Sequence, residues 1–174
     1  LNNKPADIAG LFEMSWTDGS SVKETVQQMV LKTGENVQVR RFVLIQSDNQ
    51  IFSYIHTGDR LGVIGEFAGP EGLSEFADEL GMHIVASAPQ FLSDADIPSD
   101  LIEKERSIQV ARAQEDPKLT GKPDKVIQGA VRGRIAKWKK EISLMDQMWI
   151  HDDDGKTKVS AILNKMSAEK GETV

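Results

Sequence analysis

Cysteine is absent from the 174 residues. That excludes a disulfide framework, a thiolate nucleophile and a Cys-ligated metal, and it is compatible with a reducing compartment. Aromatic residues are sparse, at 6%, and the three histidines never fall at a metal-binding spacing. A basic surplus is lacking too. The formal net charge is -6 and the pI about 5.1, the wrong sign for a general nucleic-acid binder. No apolar run approaches the roughly 18 residues a membrane span needs. No signal peptide is legible, and a chain opening on Leu1 reads as processed or as a fragment. Glycine-rich phosphate loops, a nucleophile elbow and a His-Glu-x-x-His helix are missing. The carboxylates scatter over helix faces. These absences argue against an enzyme, with no catalytic residue, cofactor or metal expected. They favour a protein–protein binding module.

What is present is patterned. Hydrophobic content of 39% with 28% charge suits a packed core, in one ordinary domain or two small ones. Ile8, Leu11, Phe12 and Met14 fit one or two helical turns, and 17–20 reads as a turn. Ser21 and Glu24 fit a capping box. Val22, Val26, Met29 and Val30 then line one helix face up to Lys32. Gly34 is placed to end that helix in a left-handed conformation, which Asn36 also tolerates. From Val37 the period becomes alternating: Val37, Val39, Val43 and Ile45 share one strand face, Phe42 and Leu44 the other. Arg40 and Arg41 then point to opposite faces, so one lies across a sheet surface or both find partners at an edge.

Three alternating segments are expected as strands: Val37 to Gln46, Ile51 to His56, and Leu61 to Phe67. The short polar joints at 47–50 and 57–60 favour antiparallel hairpins. Gly62 and Gly65 suggest close backbone approach or a bulge. Gly69-Pro70-Glu71-Gly72 stops the sheet. A helix carrying Leu73, Phe76, Ala77, Leu80 and Ile84 follows, ending near Ala88-Pro89. His83 sits beside its apolar face and reads as a partly buried histidine. His56 differs: it ends a strand and opens a loop, where a side chain reaches a partner from a rigid base.

Beyond an irregular link at 92–98, Ser99 or Asp100 caps a helix running to about Gln114. Pro123 suits the first position of a second helix, in which Ile127, Val131, Ile135, Trp138, Ile142 and Met145 approach a heptad seam. Lys122, Lys125, Arg132, Arg134, Lys137, Lys139 and Lys140 crowd that helix. They form a solvated, paired face or a patch for an acidic partner such as ribosomal or transfer RNA. Asp152-Asp153-Asp154-Gly155 lacks the alternating ligands of a calcium loop. Val159, Ile162, Leu163 and Met166 mark a last helix, which stops in Gly171-Glu172-Thr173-Val174. The expected fold is α+β: small antiparallel sheets, packed helices and a protruding antiparallel coiled-coil hairpin.

Collinear segments carry a resemblance. Thr33-Gly34-Glu35-Asn36 with Val39-Arg40-Arg41-Phe42, Tyr54-Ile55-His56 with Arg60-Leu61-Gly62-Val63, Met82 to Pro89, Glu103-Lys104-Glu105, Gly133-Arg134 and Glu141 to Gln147 occur in order. Together they resemble the translation elongation factor Ts family. The resemblance implies a nucleotide exchange factor that binds elongation factor Tu, both GDP-bound and nucleotide-free. It implies partner contacts at Thr33, Gly34, Glu35 and Asn36, a second contact at His56 and a weaker third at His83. It implies a remainder of a first α+β subdomain at 1–46, a second at 47–96 with 147–174, and an inserted coiled-coil arm at 97–146, which would serve accessory contacts or pairing with a second copy. A bacterial cytoplasm or an organelle matrix (mitochondrion or plastid) is the implied setting, with no membrane and no sequence-specific nucleic acid. The family pattern also includes an N-terminal helical domain and a Thr-Asp-Phe-Val motif, and the sequence matches neither; Thr17-Asp18 is followed by Gly19. A fragment or divergent form, acting as a ribosome- or RNA-associated binding module without exchange activity, is the alternative.

Overall fold

The computed structural model describes residues 4–58, 60–69, 72–171 and 173–174. The expected turns at 57–60, 69–72 and 171–174 therefore each lose residues from view: Asp59, Pro70 with Glu71, and Glu172 lie outside the described set. The chain divides between Gln46 and Ser47 into two compact units.

In the first unit, α1 (Ile8–Phe12) is capped by Asp7, whose carboxylate accepts from the Gly10 N–H at 2.8 Å. α2 (Val22–Thr33) begins with the expected capping box. The Glu24 N–H donates to Ser21 Oγ at 3.1 Å and the Ser21 N–H to Glu24 Oε2 at 2.8 Å. Only Val22 of its apolar face is fully buried, and Met29 is half exposed. Asp18 of the preceding turn accepts from the Ser20 hydroxyl and N–H, which hold its carboxyl below the usual carboxylate range.

The expected strand from Val37 to Gln46 is not formed. The segment has no regular secondary structure and no ladder partner among the described residues. Val43, Leu44 and Ile45 are exposed, and so are Arg40 and Arg41. Alternation specifies which face a neighbour must cover; the ladder itself requires that neighbour.

The second unit carries the sheet. β1 (Gln50–Ile55) and β2 (Gly62–Phe67) pair antiparallel in the register Phe52↔Gly65 and Tyr54↔Val63. The Phe52 ring lies so close over Gly65 that a Cβ there would approach to 2.2 Å. This is the close approach the glycine implied. α3 (Ser74–Ser87) packs on both strands and ends at Ala88, left-handed at φ 43, just before Pro89. α6 (Val159–Lys170) completes a core of Phe76, Leu80, Leu144, Trp149 and Val159. α4 (Ser99–Gln114) and α5 (Asp124–Ile142) pack over a second cluster around Ala113, Val131 and Ile135. Pro98 takes the cap position of α4, one residue before the expected Ser99, and Pro123 caps α5, which begins one residue later than expected. The seam also stops short of Met145, because 144–146 forms a separate turn of tighter helix. The architecture is α+β, with one two-stranded antiparallel sheet among the described residues.

Candidate functional sites

The glycine turn closes α2. Gly34 is left-handed at φ 70, and its N–H donates to Val30 O at 2.9 Å. Thr33 is used twice: its hydroxyl donates to Met29 O at 2.9 Å and accepts from the Glu35 N–H at 3.2 Å. The Val37 N–H returns to Glu35 O at 2.9 Å, and Gln38 Nε2 donates to Asn36 Oδ1 at 3.2 Å. Backbone and side-chain bonds thus fix the turn, while Thr33, Gly34, Glu35 and Asn36 are all exposed. The Glu35 carboxylate has no partner among the described residues. The turn therefore presents an unengaged carboxylate at the surface, among the described residues.

The histidine hairpin belongs to the second unit. The His56 N–H donates to Leu61 O at 2.9 Å and closes the loop. Alternation brings Tyr54 and His56 to the same side of β1. The Tyr54 hydroxyl and His56 Nδ1 share a hydrogen bond of 3.0 Å, and the rings lie 6.0 Å apart. With the phenol donating, the imidazole keeps its proton on Nε2. Tyr54 is itself anchored: its Cβ would lie 2.3 Å from a Cβ on Gly81 of α3. Strand and helix meet there at nearly backbone contact. The far end of the hairpin is tied by Glu66, which accepts from the Ser47 hydroxyl at 2.6 Å and Asn49 Nδ2 at 2.7 Å. Those bonds, Ser47 first, hold its carboxyl below the usual range. The result is an exposed imidazole on a braced hairpin, while Ile51, Ile55 and Ile64 are exposed on the opposite face of the sheet.

His83 differs from the expectation that it touches a partner. It is fully buried, at 0% exposure. The Ile150 N–H donates to His83 Nδ1 at 3.3 Å, which leaves the proton on Nε2 to reach Gln147 Oε1 at 3.1 Å. Gln147 in turn donates to Ser87 O and Glu141 O. The imidazole stacks on Trp149 at 5.2 Å, and Trp149 stacks on Phe76 at 5.9 Å. Burial, opposed by the Gln147 bond and aided by His151, pushes the imidazole below its ordinary 6.5. This histidine ties the ends of α3 and α5 to the core; with no surface, it is a packing residue. Tyr54, Gly81 and Gln147 were not singled out by the sequence as positioning residues. The i, i+2 spacing of Tyr54 and His56 is the one signal that could have found the first.

The basic face of α5 is partly neutralised. Arg134 pairs with Asp116, Lys137 with Glu141 at 3.6 Å, and Lys139 with Asp94 at 2.8 Å. In the acidic turn, the Asp152 carboxylate accepts from the Thr157 and Lys156 N–H groups at 2.7 and 2.9 Å, so the loop's own backbone uses it. No helix of the described residues is long and apolar enough to cross a membrane.

The comparisons with known proteins agree in family. The family model described as Elongation factor TS matches residues 1–174. A protein named Elongation factor Ts from Alcanivorax borkumensis is 37% identical over 97% of the chain and 56% of its own length. Its namesake from Dechloromonas aromatica is 34% identical over 96% of the chain and 54% of its own length. That from Halorhodospira halophila is 38% identical over 88% and 50%. The chain spans about half the length of the curated relatives it matches. On a match that runs the length of the sequence and relatives above 30% identity, the chain belongs to the elongation factor Ts family.

Proposed function

We propose that this chain binds elongation factor Tu, both GDP-bound and nucleotide-free, and promotes release of GDP and its exchange for GTP. The observation that carries the reading is His56: an exposed imidazole held by Tyr54 at the end of a hairpin braced on α3. The Tyr54 phenol braces the imidazole at a strand end, where a side chain reaches a partner from a rigid base. Thr33, Gly34, Glu35 and Asn36 form the other contact. His83 acts behind the surface, as a positioning residue for the packing of α3. The paired helices serve accessory contacts or association with a second copy. The setting is a bacterial cytoplasm or an organelle matrix.

The mechanism is linkage and needs no bond chemistry. A nucleotide held at nanomolar affinity is bound by about -12 kcal/mol and leaves slowly. A protein that prefers the nucleotide-free partner must weaken the nucleotide by the same coupling free energy. Ribosome or RNA association is the less supported reading, since Arg134, Lys137 and Lys139 are engaged with carboxylates. The test is release of fluorescent GDP from elongation factor Tu. Acceleration by the chain, reduced by His56→Ala, is expected. An unchanged release rate with no detectable binding contradicts the proposal.

A further inference from the structure

Positions 132, 135, 136, 139 and 140 of α5 recur on one helical face and, with Ile102 and Arg106 of α4, line a groove of about 410 Å³. Ile102, Ile135 and Ala136 supply its apolar lining. Of its four cations, Arg106 is paired with Glu103 at 3.2 Å and Lys139 with Asp94 at 2.8 Å. Arg132 and Lys140 are exposed and have no ion pair among the described residues. They stand eight positions apart, about 12 Å along the helix. In a chain of net charge -6, this is a local surplus of unengaged positive charge over apolar surface.

We propose that this groove binds a short acidic-amphipathic segment of a protein partner, with carboxylates at Arg132 and Lys140 and an apolar side chain between them against Ile135 and Ala136. The inference does not use the glycine turn or the histidine hairpin, so it stands apart from the exchange reading. Charge complementarity selects the occupant. Two free cations would neutralise only about two phosphates, a small electrostatic contribution for a polynucleotide. Asp94 and Asp146 also line the groove and oppose a phosphate backbone, and no lining residue is aromatic, so bases find no stacking platform. An amphipathic peptide meets the apolar lining and places its few carboxylates at the two open cations.

The full chain, labelled with ¹⁵N, is titrated with a synthetic peptide built from Glu-Leu-Glu repeats. The controls are an all-Glu peptide of equal length, a Lys-Leu-Lys peptide and oligouridylate. The Glu-Leu-Glu peptide is expected to shift amides around Ile102, Ala136 and Lys139. Binding should weaken about fivefold to tenfold in the double variant R132E/K140E, as two rim charges suggest. Both side chains are exposed, so unchanged amide positions in the two cores establish that the variant is folded. Absence of shifts in the groove, equal binding by the double variant, or preference for oligouridylate would overturn the proposal.

Discussion

A methyl group on Gly81 would sit 2.3 Å from Tyr54 Cβ and 2.7 Å from its Cγ. Neither atom is the free end of a side chain, so β1 would have to retreat from α3. Alanine favours the helix by about 1 kcal/mol over glycine, but overpacking of this kind costs about 1–3 kcal/mol. Gly81→Ala should therefore lower stability in urea melts and displace the resonances of Tyr54 and His56. Gly34 is the opposite case. Space around it is open, but φ is 70, so Gly34→Ala should cost about 1–2 kcal/mol through the left-handed backbone alone. Asn at the same position should recover part of that loss.

His83 makes stability depend on pH with a definite sign. Its folded pKa lies below the ordinary 6.5, so between those values the unfolded chain binds more protons than the folded one. Its contribution is complete above about pH 6.5 and falls as pH drops toward the folded pKa. The imidazole has no room to accept the charge: a proton on Nδ1 would face the Ile150 N–H. Equilibrium unfolding between pH 7.5 and 5, compared with His83→Gln, should show a stability decline in the parent that flattens in the variant.

Among the elements, α2 shows local chemistry acting alone. Ser21→Ala removes the side-chain acceptor for the Glu24 N–H and should cost about 1 kcal/mol, read as a lower melting temperature and faster amide exchange in the first turn. The capping box, Gly34, the hairpin between 50 and 67, and α3 to α6 were legible because their signals are local: caps, short polar loops and apolar intervals. The segment from Val37 to Gln46 had an equally clear alternation and formed no strand, because a ladder depends on a partner that no local signal specifies. The histidines divide for a related reason. His56 was readable from its place at a strand end. His83 became interpretable only with Gln147 and Trp149, more than sixty residues away in sequence, closing around it.

For the whole molecule, the division at Gln46 places the glycine turn in one compact unit and the histidine hairpin in the other. Each is fixed by contacts within its own unit: the turn by Thr33 and Gly34, the hairpin by Tyr54 and Gly81. Binding free energy spent at these two surfaces is the proposed source of the coupling that expels the nucleotide. The decisive measurement is calorimetric titration of this chain into elongation factor Tu, nucleotide-free and GDP-saturated, alongside the GDP affinity with and without saturating chain. The account predicts tighter binding to the nucleotide-free form and a loss of GDP affinity by the same factor. Equal affinity for the two forms would contradict it.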